Sequence, residues 1–415
     1  MRSGFCFSAV RFSSNRFSSI QKSLTTLVVF CFAFVAWMLP TATAQQNRDP
    51  RTKESERESE SESKGEVESV QSEIALAEQV DALIQRAGSR LVALQEDDGA
   101  WPYEGVYRVR RRIPVGYRIG GTAIVCDALL TLPDPDEACT AAIEKGIRLI
   151  LEELQDRRME SSTEDTYDVR VWGHIYALKL FAELKVQQRF AELHSDTDPW
   201  IARLTEILQE EEIGGGGWNY ANQRRHAAFV TAPAVQSLLL AKESGQEVDA
   251  DLLQRAADAL IDTRSENGAY AYSGKANSRR NAQLPGSIAR SAVCEATLLM
   301  LGKGDTEHLQ LAIDAFHEHW QELEKRRKKT GTHEPPYGVA PYYFYYGHRY
   351  LAQGISLLPE ETMDEEFQKF VEVLLRTKDD DDTWNDRVFD RSKAFGTAMA
   401  LLALSESNAD AETGK

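Results

Sequence analysis

The sequence predicts an all-α fold in which six helical hairpins close into a ring, an (α/α)6 toroid. Three observations carry this. Apolar residues recur at helical spacing from about residue 75 to 405. The helices alternate between an amphipathic kind and a kind that is apolar or small nearly all round. The amphipathic helices start near residues 80, 139, 198, 249, 306 and 364, at intervals of 59, 59, 51, 57 and 58 residues, which marks a repeat.

Two segments precede the repeats. Residues 1–44 read as a signal peptide: Arg2, Arg11, Arg16 and Lys22 are basic with no acid among them, Leu27 to Leu39 is an apolar run of thirteen, and Ala42-Thr43-Ala44 offers a cleavage site. A spanning helix needs roughly twenty apolar residues. The expectation is therefore export to a periplasm, cell surface or medium, with no membrane span after cleavage and an uncleaved anchor as the alternative. Residues 45–74, rich in Glu, Ser, Arg and Lys with no aromatic residue, cannot bury enough apolar surface to fold and read as a disordered charged tether. Residues 406–415 read as a disordered tail.

The toroid domain spans 75–405. Its first amphipathic helix places Leu83, Ile84, Ala87, Leu91 and Leu94 on one face, and the second Ile143, Ile147, Ile150, Leu151 and Leu154. The third opens on Asp198-Pro199, a capping residue with proline in the first turn. The other kind of helix is represented by "GGTAIVCDALLTL" (120–132), "TAPAVQSLLLA" (231–241) and "FGTAMALLALS" (395–405). These are inner helices, buried on most sides. An open array would expose the apolar inner helices of its two end pairs, so closure is expected, with 395–405 packed on 120–132.

A second pattern falls where each amphipathic helix ends. "QEDDGAW" (95–101), "GGGGWNY" (214–220), "ENGAYAY" (266–272) and "DDDDTWN" (379–385) set a glycine or polar turn just before a large aromatic. A glycine there can take positive φ, and the aromatic packs where the chain turns inward. Gln95, Asp98, Gly99 and Trp101 form the best copy, and the pattern resembles the glutamine, glycine and tryptophan repeat of squalene cyclases and protein prenyltransferase β-subunits. The chain is thereby similar to the terpenoid cyclase and prenyltransferase-like α/α toroid superfamily, with its prenyltransferase and squalene oxidase repeat. The resemblance implies the same ring of hairpins. It does not bring the known catalytic sets: Asp379 to Asp382 matches the cyclases' acid motif in letters but occupies a turn, and Cys126-Asp127 and Cys294-Glu295 lack the spacing of the prenyltransferase zinc ligands.

Function is expected on one face of the ring. The outer-to-inner connections, taken as 96–118, 155–171, 213–229, 266–287, 324–340 and 379–393, are long, and long loops on a rigid scaffold carry binding sites. They hold 21 Lys and Arg against 18 Asp and Glu, on a chain whose net charge is −17 and would become −21 on cleavage. The acidic whole excludes general nucleic-acid binding; the basic face suits an anionic or polar ligand, a glycan or a protein partner. Candidate ligand-binding residues at the entrances of the inner helices are Arg118, Arg170, Trp172, Arg224, Arg225, His226, Tyr342, Tyr345 and Arg391. Asp165, Asp168, His174, His348 and Asp386 are the candidates for acid–base chemistry. No metal-ligand, serine-hydrolase or nucleotide motif occurs, so neither metal nor cofactor is expected. These features lead to a binding or scaffolding protein. The alternatives are a glycan lyase or hydrolase using cavity carboxylates and, more remotely, isoprenoid binding or conversion.

Overall fold

A computed structural model describes residues 78–160, 169–221, 224–277 and 282–406. The expectations for the signal, the tether and 407–415 lie outside the described residues. The chain divides into two compact units, Met1–Gln85 with Asn408–Lys415, and Arg86–Ser407. Of the first, 78–85 are described; they are helical, with Val80, Leu83 and Ile84 buried.

Twelve α-helices occur among the described residues, outer and inner in strict alternation. The outer ones are α1 (78–93), α3 (Glu137–Glu153), α5 (His194–Glu210), α7 (Ala250–Thr263), α9 (Thr306–Glu324) and α11 (Glu360–Leu375). The inner ones are α2 (Val115–Leu130), α4 (Arg170–Val186), α6 (Ala228–Glu243), α8 (Leu284–Met300), α10 (Tyr343–Ile355) and α12 (Ser392–Glu406). Each inner helix packs on the next, and α12 packs back on α2, which closes the ring within Arg86–Ser407. No described helix is long and apolar enough to cross a membrane.

The two kinds of helix differ as their patterns require. On α3, Ile143, Ile147 and Ile150 are fully buried while Glu144 and Arg148 face solvent. Burial of each such isoleucine contributes about 1.5–3 kcal/mol. Every residue of α10 is buried, because it meets α8 and α12 in the inner ring and α9 and α11 outside it. The third outer helix differs from the expectation. A short 3₁₀ turn, Ala191–Leu193, feeds directly into α5 at His194, and Thr197 hydrogen-bonds the Leu193 carbonyl, so Pro199 falls in the second turn. Asp198 then caps nothing and pairs with Lys185 at 3.0 Å.

The aromatic turns are what join outer to inner helix. In the four copies Gly99, Gly216, Gly268 and Asp382 all have positive φ, each two residues before Trp101, Trp218, Tyr270 and Trp384. The backbone bonds repeat as well: Glu96 N–H to Ala100 O, Ile213 to Gly217, Ser265 to Ala269 and Asp379 to Thr383. Each tryptophan is then held twice. Its indole N–H donates to a leucine carbonyl ten residues earlier, Leu91, Leu208 or Leu374, at 2.7, 2.7 and 3.3 Å. Its backbone N–H donates to an inner-helix threonine, Thr122, Thr231 or Thr397, at 3.0 Å in all three. Gly121 and Gly396 precede two of those threonines, and a Cβ there would sit 2.5 and 2.3 Å from the Trp101 and Trp384 carbonyl oxygens.

The ring is filled below its long-loop end. Tyr176 of α4 meets Tyr350 of α10 at 3.3 Å between hydroxyls, and Tyr346 donates to the Phe229 carbonyl. Further down, Lys179 pairs with Asp127 and Arg349 with Glu406.

Candidate functional site

The aromatic of each turn packs between outer and inner helices; the second residue after it is Tyr103, Tyr220, Tyr272 or Asp386. The three tyrosines line a cavity of about 730 Å3 on the long-loop face, at the N-terminal ends of the inner helices. Inner helices complete the wall with Tyr117, Trp172, Phe229 and Phe395, and the long connections add Arg224, Arg225, His333 and Arg387. Phe229 stacks on Tyr272 with centroids 5.2 Å apart, and Trp172 meets Tyr117 edge-on at 5.4 Å. Among the described lining residues none is a carboxylate.

Opposite ends of this wall differ in how their polar atoms are satisfied. On one side Tyr342 and His333 are hydrogen-bonded at 2.9 Å, and burial, then the charge of Arg290, pushes the His333 pKa down. On the other, the Tyr103 hydroxyl, the Arg387 Nε and both carboxylate oxygens of Asp386 are buried with no partner in another described residue. Asp386 is fully buried, and that burial raises its pKa to about 7 although Arg387 opposes it. Asp386 in turn raises the Tyr103 pKa, after burial itself.

Of the residues picked from the sequence, Trp172, Arg224, Arg225 and Tyr342 line this cavity; Asp386 is fully buried and does not line it, though Arg387 beside it in the chain does. Tyr345 does not; its hydroxyl donates to the Thr377 carbonyl at 3.1 Å. His348 lies in the ring wall, accepting from the Trp320 indole and bonded through Nδ1 to the Phe344 carbonyl, and burial lowers its pKa to about 4. His174 is buried in α4 with its pKa pushed to about 3, by burial first and Arg170 second. Arg170 is itself fully buried and pairs with Glu211 at 3.0 Å. His226 is half-buried and outside the wall. Asp165 and Asp168 lie outside the described residues.

Arg118 and Arg391 line a different cavity, of about 500 Å3, beside Arg108, Arg111, Arg112 and Arg158. There the charges are largely internal: Arg118 contacts Asp98 at 2.8 Å and Glu153 at 2.6 Å, and Arg391 contacts Glu96 at 2.8 Å. The acidic run is likewise neutralised, Asp379 by Lys328, Asp381 by Lys393, and Asp382 by Lys378 and Arg86. Cys126, Cys139 and Cys294 are buried free thiols. No cluster of three or more His, Cys, Asp or Glu among the described residues could hold a metal ion.

Tyr103, Tyr220, Tyr272, His333 and Arg387 were not among the sequence candidates. The first three carried a readable signal, their place two residues past the repeated aromatic. His333 and Arg387 carried none, since the fold alone brings their two connections together.

No family model matches the chain, and no curated protein does either. Solved structures match in fold. A type II terpene cyclase from Scytonema, in complex with geranylgeranyl dihydroxybenzoate, is 13% identical with a TM-score of 0.51, over 80% of this chain and 97% of that one. An inactive α-1,6-mannanase from Salegentibacter, in complex with α-1,6-mannotriose, is 16% identical with a TM-score of 0.53, over 79% and 99%. An unsaturated glucuronyl hydrolase from Bacillus is 13% identical with a TM-score of 0.53, over 77% and 94%. At these identities the likeness is one of fold, and the chain is an α/α toroid.

Proposed function

We propose that this toroid binds a small ligand with a ring-shaped, largely apolar body and an anionic group, and that the chain is exported to do so. One observation carries the reading: eleven aromatic side chains and three arginines line the cavity, with no described carboxylate among them. Aromatic faces and edges hold flat rings, and the volume falls in the roughly 300–1,000 Å3 range of small-molecule sites. Arg224 and Arg225 are exposed at the rim, where the inner-helix N-termini add partial positive charge. Hydrolysis or elimination by paired carboxylates would need a second acid beside Asp386. Only Asp165 and Asp168 were candidates for that role.

The probe is 8-anilinonaphthalene-1-sulfonate, which carries both chemistries. It should bind saturably at one site per chain, more weakly at high salt, because exposed charge is screened within a Debye length of roughly 8 Å at physiological ionic strength. Replacing Arg224 and Arg225 by Ala should weaken binding by about threefold to tenfold with little change in stability. Replacing Lys145 and Arg148 on α3, away from the cavity, should leave both unchanged. No saturable binding, or equal loss from both pairs, would overturn the reading. Export is tested separately: mature protein recovered outside the cytoplasm should begin at or near Gln45.

A further inference from the structure

We propose that Tyr103, Asp386 and Arg387 form a subsite for an uncharged hydroxyl on the ligand's ring. This deepens the reading above and rests on it. Four buried polar atoms have no partner in another described residue: the Tyr103 hydroxyl, the Arg387 Nε and the two Asp386 carboxylate oxygens; the charges of Asp386 and Arg387 both act on Tyr103. A buried polar group left unsatisfied is costly, and native folds leave few. Tyr103 and Arg387 both line the cavity, and Asp386, fully buried, is the chain neighbour of Arg387. The surroundings hold them in place: Tyr103 packs on Phe395 at 4.6 Å and Tyr117 at 5.2 Å, and the Arg387 guanidinium lies 5.7 Å from the Phe389 ring.

The charges select the ligand group. Asp386 and Arg387 are adjacent and of opposite sign, so an entering ion would find no net charge to balance its own desolvation. A hydroxyl costs less to desolvate and matches what is offered, donating to the carboxylate and accepting from the arginine N–H or the tyrosine O–H. Other groups facing Asp386 do not supply this. Tyr345 of α10 feels its charge but spends its hydroxyl on Thr377, and the Lys328 backbone N–H bonds the Asp386 carbonyl.

The test compares 2-naphthol with 2-methylnaphthalene, the same ring with and without the hydroxyl. At about pH 8 the naphthol should bind about tenfold tighter, the difference one hydrogen bond to a charged group makes. That preference should fade as pH falls through 7, where Asp386 takes up its proton. Asp386→Asn should abolish the pH dependence, and Tyr103→Phe, which removes one oxygen without altering the ring, should cut the preference about threefold. If both probes bind alike at both pH values, the subsite is wrong while the cavity reading stands. If neither binds, the cavity reading fails and the subsite with it.

Discussion

Trp218 and Tyr220 stand two residues apart in one connection and meet different fates. Trp218 is fully buried and donates two hydrogen bonds, to the Leu208 carbonyl and the Thr231 hydroxyl. Tyr220 faces the cavity, edge-on to Phe229 at 5.4 Å. The same division recurs at Trp101 and Tyr103 and at Tyr270 and Tyr272, whereas Trp384 and Asp386 are both fully buried. A repeat that fastens outer helix to inner helix thus also delivers, in three of its four copies, a tyrosine to the cavity wall. The fourth copy breaks the tyrosine series with a carboxyl group, and that copy holds most of the unsatisfied polar atoms of the site.

Five substitutions break or sharpen this division. Trp218→Ala should cost about 3–5 kcal/mol in urea unfolding, as truncation of a buried aromatic does. Asp386→Asn should act in the opposite direction. An unfolded aspartate titrates near 3.9, whereas Asp386 titrates at about 7 in the fold. The folded state therefore binds the proton more tightly, and stability falls as pH rises from about 4 through 7. The asparagine variant should be more stable than wild type at pH 8 by roughly 2–4 kcal/mol, an advantage that vanishes near pH 4. Within the turns, Gly216→Ala should cost about 2–3 kcal/mol, since its Cβ would lie 2.2 Å from the Arg255 carbonyl oxygen at a φ of +106°. Gly268→Ala, at positive φ but in open space, should cost only about 1 kcal/mol. Tyr220→Phe, which removes one hydroxyl from the cavity wall, should stay within about half a kcal/mol.

Much of the architecture was legible because it rests on local patterns. The inner helices announce themselves by having no polar face, the outer ones by having one, and the spacing of their starts counts the hairpins. The aromatic turns were legible too, down to the positive φ at Gly99 and Gly268, though not that Asp382 would adopt the same backbone. The site was legible only in part. Arg224, Arg225, Trp172 and Tyr342 stood out by type and place. Arg170, His174 and His348 stood out equally, yet the fold buries them: Arg170 finds Glu211 from the connection that follows the next helix, and His348 finds Trp320 on the neighbouring outer helix. Such partners are set by packing across the chain, and composition and period do not encode them. The cluster at Asp386 depends on the ring closing, which brings connections nearly three hundred residues apart to one wall.

The most direct test of the division between fastening and binding positions measures 8-anilinonaphthalene-1-sulfonate affinity and urea-unfolding stability for Trp218→Phe and Tyr220→Ala side by side. Trp218→Phe should lose about 1–3 kcal/mol of stability, because the Leu208 carbonyl is left without its donor, while the folded protein keeps its affinity. Tyr220→Ala should weaken the probe by about threefold to tenfold, the worth of one aromatic contact, with a smaller loss of stability than Trp218→Phe. Wild-type affinity in Tyr220→Ala, or losses of affinity and stability that rise together in both variants, would contradict the account.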